Sequence, residues 1–193
     1  MKTLLVYCGS NPGTNPIYKV TAEALGMAIV AREMGLIYGG GSLGLMGTIA
    51  DTVMKNGGKV IGIIPSFLDK LEVGHPNLTE IHVVSSMHER KTKMEEMCDA
   101  IITLPGGYGR MDELFEILSW SQLGLHKKPL GLLSVNGFYE PLIAQLDLMV
   151  EEGFLKQANR KILQMSDSID ALFQLMQEFK PQDTHKWLER DKL

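Results

Sequence analysis

The 193-residue chain lacks the marks of several broad protein classes. It has only two cysteines, Cys8 and Cys98, far apart in sequence and outside any Cys/His spacing that would hold a metal. A disulfide framework is thereby excluded, and two reduced thiols of a cytoplasmic protein are expected. There is no basic tract, and acidic side chains outnumber basic ones 23 to 19, a net charge of −4. Bulk electrostatic attraction to nucleic acid is not open to such a chain. No apolar run approaches the ~20 residues of a membrane span, so no membrane partner is expected. The start, Met1 to Tyr7, is basic and then apolar, but its apolar stretch is too short for a signal peptide. Linkers, internal repeats and low-complexity segments are also missing. With 45% hydrophobic residues, the chain suffices for one well-buried domain and is short for two.

What is present is a regular alternation. Short apolar runs at 4–8, 36–38, 60–64, 80–84, 100–104 and 130–135 read as strands, the last of these broken by Asn136-Gly137. Helical spacing fills the intervals. The segment 16–34 carries an apolar stripe of Val20, Ala24, Met27, Ala28 and Ala31, with Gly35 expected as its C-terminal cap. Further helices are predicted from Gly44 to about Asn56, over 87–98, after Gly109, over 139–152 and over 168–179. Strand–helix alternation of this kind predicts an α/β fold, a doubly wound parallel sheet with helices on both faces. One domain over 1–180 and a polar tail over 181–193 follow. In such sheets a ligand binds beyond the carboxyl ends of the strands, where their order reverses.

Three loops leaving carboxyl ends are rich in glycine. The first, Cys8-Gly9-Ser10, follows the first strand. The second, Gly39-Gly40-Gly41-Ser42-Leu43-Gly44, fits G-x-G-x-x-G, but the following strand ends Ile64-Pro65-Ser66 without the carboxylate that a dinucleotide ribose requires. A mononucleotide phosphate or ribose, or simply tight turns and close helix–sheet packing, remain the readings of these glycines. The third, Leu104-Pro105-Gly106-Gly107-Tyr108-Gly109-Arg110-Met111-Asp112-Glu113, opens an apolar-striped helix. Backbone amides and the positive end of a helix dipole there converge on one point, an anion site. Asp112 suits the dipole as a first-turn acid, and Glu113 is the candidate acid or base beside the anion. Ser86 and Glu89 form a capping box that starts a helix. Arg90 and its neighbours on that helix read either as an exposed basic face or as cations meeting a phosphate or carboxylate. Arg90 is favoured for the second role by its planar fork. His126, at a helix end, reads as structural, and Cys8 has no basic partner in sequence to activate it.

Met87-His88-Glu89-Arg90-Lys91, followed by Leu104-Pro105-Gly106-Gly107-Tyr108-Gly109 and Glu113, resembles the "Lonely guy" (LOG) family. Its members are cytokinin riboside 5′-monophosphate phosphoribohydrolases, often mislabelled lysine decarboxylases. The resemblance covers nearly the whole chain, including Tyr38-Gly39-Gly40-Gly41, Ile61-Gly62-Ile63-Ile64-Pro65 and Glu152-Gly153-Phe154. It implies a Rossmann-like homodimer, with sites near the interface, that cleaves the N-glycosidic bond of an adenine-type nucleotide without metal or other cofactor. It implies catalytic roles for Arg90 and Glu113. It also implies contacts to substrate or phosphate from Gly9, Ser10, Gly40, Gly41, Met87, Lys91, Gly106, Gly107, Gly109 and Arg110. One position departs from the family pattern PGGxGTxxE, because Arg110 stands where the threonine is. An arginine there supplies a stronger charge to the phosphate, fills the phosphate site, or pairs with Asp112 or Glu113 and quiets the carboxylate. Two other readings therefore stand beside the hydrolase: a module that binds AMP-like nucleotides without turning them over, and a pyridoxal-phosphate lysine decarboxylase.

Overall fold

The computed structural model describes residues 1–69 and 74–181. The strands are β1 (Thr3–Tyr7), β2 (Gly35–Tyr38), β3 (Val60–Pro65), β4 (Glu80–Val84), β5 (Ala100–Thr103), β6 (Leu130–Leu133) and β7 (Leu163–Ser166). They form one seven-stranded sheet in the order β4-β3-β2-β1-β5-β6-β7, with every neighbouring pair parallel. The helices are α1 (Ile17–Ala31), α2 (Gly44–Lys55), α3 (Ser66–Asp69), α4 (Met87–Met97), α5 (Tyr108–Gln122), α6 (Glu140–Glu151), α7 (Gln157–Arg160) and α8 (Ile169–Glu178).

The pleat sends alternate residues to opposite faces, and each face has its own core. Leu4, Val6 and Cys8 pack with Leu25 and Ile29 of α1, Ile49 and Val53 of α2, and Phe173 and Met176 of α8. Leu5 and Tyr7 pack with Met94 of α4, Leu114 and Ile117 of α5, and Leu146 of α6. This is the doubly wound α/β sheet that the alternation predicts. From the edge strand β4 the chain returns along α4 to β5, on the far side of β1. The strand order therefore reverses between β1 and β5, and the loops that leave these two strands diverge around a crevice. Asp99 fixes the register there, its carboxylate accepting from the amides of Lys2 (2.6 Å) and Thr3 (3.0 Å). Those two backbone bonds hold the Asp99 carboxyl below its ordinary pKa.

Several local expectations are corrected. In α1 the predicted stripe is not the buried one: Val20 and Met27 are exposed, and Ala22, Leu25, Gly26 and Ile29 face the core. Two apolar stripes compete on this helix. The one with the larger Leu and Ile side chains wins, and Gly26 lets Thr52 of α2 approach where a Cβ would stand. Gly35 does not cap α1 but begins β2. Glu33 takes the left-handed conformation instead (φ 54°), and the Met34 amide reaches back to the Ile29 carbonyl. The second arm of the capping box is also shifted. Ser86 accepts from the Glu89 amide at 3.1 Å, but the Glu89 carboxylate bonds the amide and hydroxyl of Ser85. Strand β7 and the short helices α3 and α7 carried no recognisable signal. β7 is four residues long, Leu-Gln-Met-Ser, and too short for a period to stand out. The sixth strand ends at Leu133, after which Val135–Gly137 form a 3-10 turn with Asn136 at φ 51°. The polar tail expected over 181–193 falls, from residue 182 onward, outside the described residues.

Tyr139 links β6 to the crevice. Its ring is buried and its hydroxyl donates to the Leu104 carbonyl at 2.8 Å, at the entry of the third glycine loop. Tyr139→Phe leaves that carbonyl without this donor and is expected to cost about 1 kcal/mol of stability, read from urea unfolding midpoints. An unchanged midpoint would show that the hydroxyl does not support the loop.

Candidate functional site

The loops after β1 and β5 are knitted together by backbone. Gly9 donates to the Pro105 carbonyl (3.2 Å), Leu104 to the Tyr7 carbonyl (2.8 Å), and Leu45, in the first turn of α2, to the Gly9 carbonyl (3.0 Å). Gly44 is required for this closeness: its φ is +60°, and a Cβ would collide with the Ser10 backbone. Above the junction lies a cleft of about 350 Å³. Gly9, Ser10, Gly106, Gly107, Gly109 and Arg110 line it, so six of the expected contact residues meet there. Helix α5 begins at the cleft with Gly107 as its N-cap, which offers no side-chain acceptor to the first-turn amides. Space in front of Gly107 and Gly109 is open. An anion placed there would meet uncapped amides and the positive end of a 15-residue helix.

Of the charged residues only Arg110 lines the cleft; Glu113 and Arg90 do not, and Arg110 connects them to it through its ion pair with Glu113. Glu113, on the second turn of α5, is 2% exposed, and both carboxylate oxygens lack a well-aligned hydrogen bond. What faces them is guanidinium. Arg110 Nη1 is in ion-pair contact with Oε2, and Arg90 Nη1 lies 3.8 Å from Oε1. Burial pushes the Glu113 pKa above the ordinary carboxylate range, while Arg110 and then Arg90 pull it back. Asp112 pushes it further up, and Lys91 lowers it slightly.

Arg90 is not on an exposed basic face. It is 4% exposed and held by two carbonyls, Nε to Ile63 at the end of β3 (2.9 Å) and Nη2 to Gly39 after β2 (2.9 Å). Burial lowers its pKa and Glu113 raises it, yet an arginine stays protonated under any physiological condition. Gly39 makes this possible, because a Cβ there would occupy the position of Arg90 Nη2. The triple glycine is thus explained mainly by packing. Gly40 and Gly41, expected as substrate contacts, are buried and do not line the cleft. The Gly40 carbonyl accepts from His75, and Gly41 is bridged to Gly74. Met87 and Lys91 are likewise outside the cleft. The Met87 thioether lies 3.9 Å from Arg90 Nη1. Lys91 ties α4 to α5 through Asp112 (3.1 Å) and Glu116 (2.8 Å). Burial opposes its charge, but hydrogen bonds to Glu116 and Asp112 outweigh that and raise its pKa.

Sequence reasoning missed the aromatic wall of the cleft, where Tyr18 and Phe138 meet edge to face with centroids 6.0 Å apart. Phe138 follows β6, beside β5 in the sheet, so the switch-point rule applied to that third carboxyl end would have pointed to it. The thiols are inert: burial pushes both Cys8 and Cys98 up to about 12. His126 is structural and neutral. Its Nδ1 accepts from the Lys128 amide, which assigns the proton on Nε2 that is donated to the Ile117 carbonyl at 2.9 Å. No group of three or more His, Cys, Asp or Glu among the described residues is arranged to hold a metal ion.

The raised pKa of Glu113 has a stability consequence with a definite sign. A carboxyl whose folded pKa exceeds its unfolded value favours the folded state at low pH, and that advantage is lost as pH rises through the folded pKa. Wild-type stability should therefore fall relative to Glu113→Gln as pH climbs from about 4.3, the unfolded reference. Urea unfolding of both proteins between pH 4 and 7 checks this, and a difference that is constant or of opposite slope would contradict it.

Comparison with known proteins adds a family. The family described as "Possible lysine decarboxylase" matches residues 46–176. The chain is 44% identical over 181 residues to "Probable cytokinin riboside 5′-monophosphate phosphoribohydrolase LOGL2" of Oryza sativa subsp. japonica, covering 94% of this chain and 74% of the relative. It is 41% identical over 181 residues to "Cytokinin riboside 5′-monophosphate phosphoribohydrolase LOG7" of Arabidopsis thaliana, covering 94% and 83%. Among solved structures, the crystal structure of TM1055 superposes with a TM-score of 0.70 at 21% identity, covering 93% of this chain and all of that one, and so shares the fold. The decarboxylase description implies pyridoxal phosphate on a lysine. The residues do not fit it, since no lysine among the described residues lines the cleft and Lys91 is engaged by Asp112 and Glu116. Motifs, fold and relatives agree that the chain belongs to the LOG family.

Proposed function

We propose that this protein hydrolyses the N-glycosidic bond of adenine-type nucleoside 5′-monophosphates, cytokinin nucleotides among them, to give the free base and ribose 5-phosphate. One observation carries the reading: a buried carboxylate, Glu113, stands one turn inside a helix whose uncapped N-terminus opens a glycine-lined cleft. The names of the relatives support the same activity.

The chemistry follows from that geometry. The phosphate sits on the amides of the 106–109 loop and anchors the sugar. As the bond from C1′ to the base breaks, its electron pair leaves with the base, which takes up a proton, and positive charge develops on the ribose ring. The carboxylate of Glu113 stabilises that oxocarbenium character and accepts a proton from the water that adds to C1′. Arg90, pinned by two carbonyls, faces Glu113 and lowers its pKa against the effect of burial, after the larger contribution of Arg110.

A second reading, a nucleotide-binding module without turnover, is favoured by one observation, the ion pair of Arg110 with the carboxylate. Incubation with AMP and with isopentenyladenosine monophosphate separates the two. The hydrolase releases free base, and Glu113→Gln lowers kcat by ~10²–10⁴-fold, the range of general acid–base catalysis. Binding of both nucleotides without base release would establish the module instead.

The active form is a cytoplasmic homodimer in this reading. The two unpaired, buried thiols are compatible with a reducing compartment. Support for the dimer comes from the face of α5 and α6, where Phe115 and Leu148 are exposed beside an apolar groove of about 250 Å³, with Phe154 87% exposed close by in sequence. Sedimentation velocity should give a dimer for the wild type and a monomer for Phe115→Glu. A monomeric wild type would remove the dimer.

A further inference from the structure

Two arginines face Glu113, and the structure treats them differently. Arg90 is locked: two of its three guanidinium nitrogens donate to backbone carbonyls at 2.9 Å. Arg110 is not. Among the described residues its side chain has one polar partner, Glu113, and its guanidinium otherwise lies 5.9 Å from the ring centroid of Tyr7. The stem of Arg110 folds across Gly106, where a Cβ would strike its Cγ. The same side chain forms part of the cleft wall beside Gly107 and Gly109, whose Cα atoms face open space. A residue paired to the buried carboxylate on one side thus borders the proposed anion position on the other.

We infer that Arg110 is a phosphate-operated latch: paired with Glu113 it covers the carboxylate, and a phosphate seated on the 106–109 loop draws its guanidinium off the carboxylate, freeing Glu113 for the ribose. The inference rests on the nucleotide reading above and makes position 110 the residue that distinguishes nucleotides from nucleosides.

The electrostatics favour the exchange. Two guanidinium groups face one carboxylate, so these three groups carry one net positive charge. A phosphate dianion brings a second anion with more charge and three acceptor oxygens, beside amides that have no side-chain cap. Arg110 is the cation available to neutralise it, because Arg90 is held by its carbonyls. Opening the pair takes one of two cations from a buried carboxylate, a cost that the new phosphate contacts offset, but the rearrangement itself is local. Arg110 and Glu113 are i and i+3 on one helix face, so only side-chain torsions change. Once released, Glu113 keeps Arg90 alone as its cation. A nucleoside lacking the phosphate leaves the latch closed. The threonine of the family pattern, by contrast, has no charge with which to cover the carboxylate.

The phosphate and Glu113 therefore compete for one guanidinium, and binding measures that competition without any turnover. The probe is ribose 5-phosphate, titrated calorimetrically into the full chain. Glu113→Gln, which releases Arg110, should tighten binding by about tenfold. Arg110→Thr should weaken it, and adding Glu113→Gln to Arg110→Thr should recover almost none of the gain. Glu113→Asp keeps the charge but withdraws it by one methylene, and should also tighten binding; this separates loss of the latch from loss of a repelling anion and serves if the Gln variant does not fold. The inference is overturned if neither Glu113 variant tightens binding, if the gain is equally large without Arg110, or if the wild type does not bind the probe. A second measurement uses the wild type alone: inorganic phosphate should accelerate base release from adenosine, and Arg110→Thr should show no such activation. Absence of base release from every nucleotide sinks the hydrolase reading but leaves the binding cycle to decide the latch. Base release from AMP with a flat cycle sinks the latch and leaves the hydrolase standing.

Discussion

A carboxylate buried as deeply as Glu113 sets the terms for everything around it. Removing such a charge from water costs several kcal/mol unless cations and hydrogen bonds replace the lost hydration. Here the replacement is two guanidinium groups rather than amides or hydroxyls. Each guanidinium needs its own support. Arg90 finds it in the carbonyls of Ile63 and Gly39, at the carboxyl ends of β3 and β2. The need to admit that fork explains why a side chain is missing at Gly39. A constraint that begins at one oxygen atom on α5 therefore reaches across three strands of the sheet.

Lys91, the next residue on α4, extends the same logic outward. Successive helical residues point about 100° apart, so Arg90 faces the strand ends while Lys91 faces α5 and its acids. One helix thus fixes both a buried cation and the spacing between itself and the helix that bears Glu113. The two interactions differ in kind. The Lys91 contacts lie nearer the surface and are screened by solvent, whereas the Arg90 contacts are desolvated and sensitive to geometry.

Much of the fold was legible in the sequence because strand and helix signals alternate without interruption. The three glycine loops marked the carboxyl ends where a ligand binds, but the strand order that puts the reversal between β1 and β5 was not legible. Nor could it be read which of two apolar stripes on α1 faces inward, since Val20 and Met27 match the helical period as well as Leu25 and Ile29 do. Within the site, Gly106, Gly107, Gly109 and Arg110 could be placed together because they are contiguous. The role of Gly39 could not, because it depends on a side chain 51 residues away, and the withdrawal of Gly40 and Gly41 depends on backbone contacts to His75 and Gly74. The pairing of Arg110 with Glu113 was one of several options open to an arginine at that spacing. Only the burial of the carboxylate, a tertiary property, selects it.

The positions of Arg90's partners also bear on how this molecule folds. The residue sits on the crossover from the edge strand β4 to β5, and it joins carbonyls 27 and 51 residues earlier in the chain. Its carboxylate partner belongs to the helix after β5. Contacts of such sequence separation are expensive in loop entropy and form after local ones. The stretch of chain from β1 to β4 carries both carbonyls that hold Arg90 but neither Arg90 nor Glu113 itself. The charges of the site are brought together by α4 and by the helix that follows β5, so the site and the centre of the sheet depend on the same β1–β5 pairing.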